Sequence, residues 1–156
     1  MTDEELALYY SQHIPVDRDL LEPLGLVLWA AARLHSSIRD TLGLDLGDGL
    51  SDKPFDDTLG SVITQLKKRA HSKGTPWSTE IEGWADKYAV PARTMRDQVI
   101  HGVPHTARDG RQALSTPRRH GGPRRLTKDD LQITAGYLVL ASVRLDEVRK
   151  RCKEKP

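Results

Sequence analysis

The stretch RTMRDQVIHG, residues 93–102, gathers Arg93, Arg96, Asp97 and His101 within little more than two helical turns. Histidine titrates near neutral pH and can accept or donate a proton. Arginine stays charged, and its forked guanidinium matches the oxygens of a phosphate. With a carboxylate beside them, these groups could be a site that moves a proton and meets negative charge, or surface decoration, or a stabilising cap. If the stretch is helical, each residue turns about 100°. With Val99 facing a core, Asp97 and His101 each lie about 160° away in opposite senses, and Arg96 lies on the flank. Asp97 is four positions after Arg93 and four before His101, so the three share a face. That face is expected outside the packing seam, open to a ligand or to a second copy of the chain. The same residues also make an ordinary helix end, because an i,i+4 Asp–His pair and a cationic His both suit a helix C-terminus.

The elements that must hold this stretch follow from apolar spacing. Leu20, Leu24, Val27, Ala31, Leu34, Ile38 and Leu42 recur at three- and four-residue steps and predict a long helix over 17–42, with Pro23 near its start and Gly43 as its stop. GLDLGDGLSDKP reads as a loop. Leu59, Val62, Ile63 and Leu66 predict a second helix over about 57–71, and Gly74 and Pro76 punctuate the turn after it. Trp77, Ile81, Trp84, Tyr88, Ala92, Met95 and Val99 form the stripe of a third helix. Pro91 lies inside it and predicts a bend or break with Pro91 at a new first turn. Gly102 and Pro104 end it.

Residues 103–126 show no helical period. Asp109-Gly110 is a hairpin signal, so a loop or a short β-hairpin is expected there. Thr127 with Asp130 resembles a capping box and opens a last helix to about residue 149, with Leu131, Thr134, Leu138, Ala141, Leu145 and Val148 inward. The fold class expected is all-α: an up-and-down four-helix bundle with a basic insert before the last helix. The 156 residues are read as one domain, with 1–16 an N-terminal extension and 103–126 the insert.

Charge is unevenly spread. Through Leu66 the net charge is −8, whereas residues 103–128 carry +6, from Arg108, Arg111, Arg118, Arg119, Arg124, Arg125 and Lys128 against Asp109. The segment suits a polyanion, or it is a solvated loop balancing an acidic body. Hydrophobic residues are 37% and charged residues 29%, and no apolar run approaches the roughly 18 residues of a membrane span. The acidic start MTDEELALYY lacks a basic n-region, and the single cysteine, Cys152, makes no internal disulfide. A cytoplasmic location without membrane attachment is expected.

Arg96, four intervening residues and His101, closing the third helix of a four-helix bundle, resemble the HEPN domain family. The family motif is Arg, four to six residues, then His, with a polar residue commonly after the Arg, and Asp97 fills that place. The likeness covers about residues 17–149. It implies RNA cleavage by a metal-independent, cofactor-free endoribonuclease of toxin or defence type, with two motifs meeting across a homodimer. A small nucleotidyltransferase-like antitoxin is a familiar partner in the family. His101 would then transfer a proton, and Arg96 would meet the charge of the phosphorane-like transition state. Asp97 would orient His101 or hold Arg93. Arg93, Arg108, Arg111, Arg118, Arg119, Arg124 and Arg125 would grip RNA phosphates. His105 and His120 could assist, or could be solvated loop residues. The alternative is a non-catalytic HEPN-like module that binds protein, RNA or nucleotide.

Other constellations carry less. His101 and His105 have ligand-like spacing, but Pro104 interrupts the face and nothing nearby completes a zinc set. No Walker-type glycine loop is present. Trp29, Trp77 and Trp84 fall on or near the apolar stripes and are expected in the core. Cys152 is expected at a frayed end. His35 and Arg39 could approach the motif helix or could be surface residues.

Overall fold

The structure, a computed structural model, describes residues 1–47 and 57–154. The chain runs α1 (Asp3–Ser11), α2 (Arg18–Asp40), α3 (Leu59–Lys73), α4 (Trp77–Trp84), α5 (Val90–Ile100), β1 (Val103–Thr106), β2 (Gln112–Thr116), β3 (Arg124–Leu126) and α6 (Lys128–Glu154). α4 and α5 are two halves of one rod joined by a π turn, Ala85–Ala89. The bundle of four rods is therefore α2, α3, α4–α5 and α6. Residues 48–56, in the second half of the expected GLDLGDGLSDKP loop, lie outside the described residues.

The core forms where the apolar stripes meet. Val27, Leu34 and Ile38 of α2 face Leu131, Leu138 and Leu145 of α6, all fully buried. α3 adds Leu59, Val62 and Leu66, and the α4–α5 rod adds Ile81, Trp84, Ala92 and Val99. A fully buried Leu or Ile contributes roughly 1.5–3 kcal/mol by leaving water, so this stripe packing dominates the fold. Trp84 also donates its indole N–H to the Ala141 carbonyl at 2.9 Å, satisfying a polar atom that burial would otherwise orphan. Pro91 lies in the first turn of α5, where a missing N–H costs least, and the π turn ahead of it supplies the expected break.

The insert is more ordered than a loop or hairpin. β1, β2 and β3 form an antiparallel sheet in that order, with Val103 opposite Ser115 and Leu114 opposite Leu126. The Asp109-Gly110 turn joins β1 to β2, with Gly110 at a left-handed φ of 79° and the Ala107 N–H bonded to Arg111 O. β3 has three residues, too few for an alternation signal, and it is held by pairing with β2. Thr127 and Asp130 make the expected cap: each backbone N–H is accepted by the other's side chain.

Several expectations need correction. Gly43 does not stop the first helix. The chain continues through it as a π turn, Thr41–Asp45, which buries Leu42 and Leu46. Asp45, read as a loop residue, has a side chain only 3% exposed, held between Arg149 and Lys153 of α6. Trp77 and Trp84 are in the core, but Trp29 is 69% exposed, at the edge of an open groove between α2 and α6. Met95 is half-buried. α6 runs past residue 149 to Glu154, so Cys152 is buried on the core stripe after Leu145 and Val148. Residues 1–16 contain α1, capped by Thr2 and Glu5, with no buried residue. No described helix is long and apolar enough to cross a membrane.

Candidate active site

The end of α5 brings the motif residues together, and Asp97 is their centre. Its side chain is 15% exposed and accepts from both arginines: Arg96 Nη1 at 2.5 Å and Arg93 Nε at 3.3 Å. Of the two expected roles for Asp97, the geometry gives the arginine clamp. Its only recorded bond to His101 runs through the backbone, from His101 N–H to the Asp97 carbonyl. The carboxylate is also less outward than helix angles predicted, because two guanidinium groups cover it. Arg93 lies across the first turn of α3. A Cβ on Gly60 would stand 3.0 Å from the Arg93 Cζ, so glycine makes room for the guanidinium.

Arg96 is the half-buried member, at 22% exposure. Its Nη1 is committed to Asp97, while its Nε is buried and makes no hydrogen bond. A buried unpaired donor costs about 1–3 kcal/mol, and Arg96 carries one at the motif position. Arg96 lines an open cavity of about 420 Å³ with Leu28, His35, Leu59 and Ile100. Its walls are mostly apolar, with Arg96, His35, Asp57 and Thr58 as the polar residues, and it is large enough for a nucleotide base. His35 donates its Nε2–H to the Asp57 carbonyl at 2.8 Å, which fixes the ring at the cavity wall. The approach of His35 to the motif is thus settled by packing of α2 on α5, which local sequence could not show. Arg39, its companion on α2, does not line the cavity.

His101 caps α5 and is exposed. Gly102 follows it for a spatial reason: a Cβ there would lie 2.8 Å from Leu114 and 2.9 Å from the Val99 carbonyl. The sheet therefore docks directly on the motif end. Beyond β2, a short 3-10 turn, Arg118–His120, is folded back by Gly121, at a left-handed φ of 86°, and by Gly122, whose Cα packs against Thr116. This lays His120 on His101, with ring centroids 4.7 Å apart and planes 9° from parallel. Neither ring makes a hydrogen bond among the described residues. By contrast His13, His35 and His105 each bond a backbone carbonyl. Of the two histidines expected to assist, the fold brings in His120 and leaves His105 tied to Val103 O.

The basic residues of the insert divide. Arg124 is paired with Asp130 at 2.9 Å and Arg125 with Asp109 at 3.1 Å. Burial pushes the Asp130 carboxyl up, but the Thr127 N–H and hydroxyl and Arg124 outweigh it and hold it below its ordinary value. Asp109 is lowered first by the Arg111 N–H and then by Arg125. Arg108 and Arg111 at the β1–β2 turn and Arg118 and Arg119 on the 3-10 turn are exposed and have no ion pair among the described residues. The last two flank His120, so the cationic part of the insert nearest the motif is also the unpaired part. Among the described residues no group of three or more His, Cys, Asp or Glu is placed to hold a metal ion. Comparison with known protein families, curated proteins and solved structures finds no match for this chain.

Proposed function

We propose that the chain is a HEPN-type, metal-independent endoribonuclease of toxin or defence kind, with its composite site across a homodimer. One observation carries the reading. A single helix end presents an arginine with a buried, unsatisfied Nε and, one turn on, an exposed histidine with both ring nitrogens unbonded. In the reaction a ribose 2′-oxygen attacks the adjacent phosphorus and the 5′-oxygen leaves. His101 transfers a proton, Arg96 meets the charge gathering on the phosphoryl oxygens, and Asp97 keeps Arg93 and Arg96 in register. Arg93 with Arg108, Arg111, Arg118 and Arg119 draws in the RNA backbone, and Arg124 and Arg125 add longer-range field.

The apolar solvent face of α2 supports the homodimer. Leu26 and Trp29 line a groove with Val139 of α6, while Leu28 on the other flank of α2 walls the Arg96 cavity. A nucleotidyltransferase-like antitoxin belongs to the same proposal as a further partner. The non-catalytic binding module is supported by a different observation: Asp97 already neutralises both arginines, as a purely structural clamp would.

Cleavage of a broad RNA panel in EDTA separates the two. Wild type is expected to cut, and Arg96→Ala and His101→Ala to lose activity by on the order of 10²–10⁴-fold at matched fold and oligomeric state. Intact RNA with folded, dimeric wild type would leave the binding module as the reading.

A further inference from the structure

The stack of His120 on His101 is the feature that the motif alone does not explain. Resting on the ribonuclease reading, we infer that His120 is a second catalytic residue: it takes the proton from the ribose 2′-OH, and His101 gives one to the departing 5′-oxygen.

Three observations carry this. First, the rings are parallel within 9° at a centroid distance of 4.7 Å, which places two imidazoles within reach of one another at the motif end. One phosphodiester group can meet both. Second, neither ring spends a nitrogen on the protein, unlike His105 in the same insert. Third, the surroundings of the two rings differ in sign. His101 is the C-cap residue of α5, where the helix dipole favours a cation, and Asp97 lies one turn before it. His120 follows Arg118 and Arg119 directly, in a run of cationic side chains. The pair works with one proton between the two rings: His101 carries it as the acid, and His120 is the base.

The step balances within the pair. The 2′-oxygen–phosphorus bond forms as the 2′-OH proton passes to His120. The bond from phosphorus to the 5′-oxygen breaks as His101 donates its proton. The products are a 2′,3′-cyclic phosphate and a 5′-hydroxyl. The pair ends with its proton on the other ring, and solvent exchange resets it.

The test uses the full chain with two substrates: ordinary RNA, and RNA with a bridging 5′-phosphorothiolate, whose sulfur leaves without a proton. His120→Gln is expected to slow cleavage of both substrates by on the order of 10²-fold or more. His101→Gln is expected to slow ordinary RNA by a similar factor but to cut the thiolate substrate at near wild-type rate. The wild-type pH–rate profile should be bell-shaped, losing its acidic limb in His120→Gln and its basic limb in His101→Gln. His120→Asn, matched to wild type in melting temperature, guards against a folding defect. If His120→Gln and His120→Asn cut ordinary RNA as wild type does, the inference fails and the ribonuclease reading stands. If the thiolate rescues His120→Gln instead, the assignment of roles is overturned. If wild type cuts neither substrate, both the reading and the inference fall.

Discussion

Asp97 decides how the arginines of the motif behave. It is a half-buried acceptor serving two guanidinium groups, so its charge positions Arg96 more than it orients His101. Asp97→Asn keeps the shape and one acceptor but removes the charge. Hydrogen bonds to charged groups contribute about 1.5–3 kcal/mol, less with partners as exposed as Arg93, so a loss of about 1–2 kcal/mol is expected. Thermal melting should read this as a fall of roughly 3–6 °C for a chain of this size. Under the proposed function the same variant should lower kcat, because Arg96 loses its register, while RNA affinity changes little. An unchanged melting temperature would show that the clamp seen here contributes nothing. The motif types were readable from spacing, and so was their placement at a helix end. The clamp was one of two roles open in the sequence, since Asp97 is four from both Arg93 and His101, and only side-chain packing chose between them.

At the scale of elements, the junction of α5 with the sheet is the sensitive point. Gly102 has no room for a side chain against Leu114 and the Val99 carbonyl. Gly102→Ala should cost about 1–3 kcal/mol, as overpacking does, and should loosen the sheet from the motif helix. Hydrogen exchange would check it: protection should fall in β1 and β2 before it falls in α2 or α6. A second junction is the π turn after α2, pinned to α6 through Asp45. Burial raises the Asp45 carboxyl, but the bonds from Arg149 and Lys153 and their charges outweigh it, leaving it lowered from 3.8. A folded-state value below the unfolded one gives stability that is present above the unfolded value and lost as pH falls through the folded one. Asp45→Asn should therefore cost about 3 kcal/mol near neutral pH, the low end for breaking a buried pair. In denaturant titrations that gap should begin to close as pH falls below 3.8, where the unfolded chain takes up the proton, and should be lost as pH falls through the lower folded-state value. A gap independent of pH would mean that packing, not charge, holds the turn. Neither junction was visible locally: Gly43 read as a stop because glycine favours helix ends, and the burial of Leu42 and Leu46 overrode that preference.

At the scale of the whole molecule, two apolar surfaces have no cover among the described residues. α1 buries nothing and exposes Leu8, Tyr9 and Tyr10, while α2 and α6 expose Leu26, Trp29, Val139 and Val143. Large apolar patches on a folded chain mark interaction surfaces, and Trp is the residue most often central to one. Under the proposed homodimer, Trp29→Asp is expected to shift sedimentation from dimer to monomer, weakening association by on the order of 30-fold or more. Its melting temperature as a monomer should be near that of wild type, since the side chain packs on nothing inside. A dimer that survives the change would place the subunit contact elsewhere.

The sequence by itself determined the helical rods, the buried stripes, the break at Pro91, the Asp109-Gly110 turn and the grouping of Arg93, Arg96, Asp97 and His101. These depend on residues within about one or two turns of each other, and periodicity records such neighbours directly. Only the tertiary structure decided that β3 pairs as a third strand, that Trp29 faces outward, that His35 walls the Arg96 cavity, and that His120 lies on His101. Each of these joins residues far apart along the chain, through packing that no local pattern encodes. In the last case two glycines and a three-residue turn, set by the buried Thr116, carry one histidine back across the insert to the other.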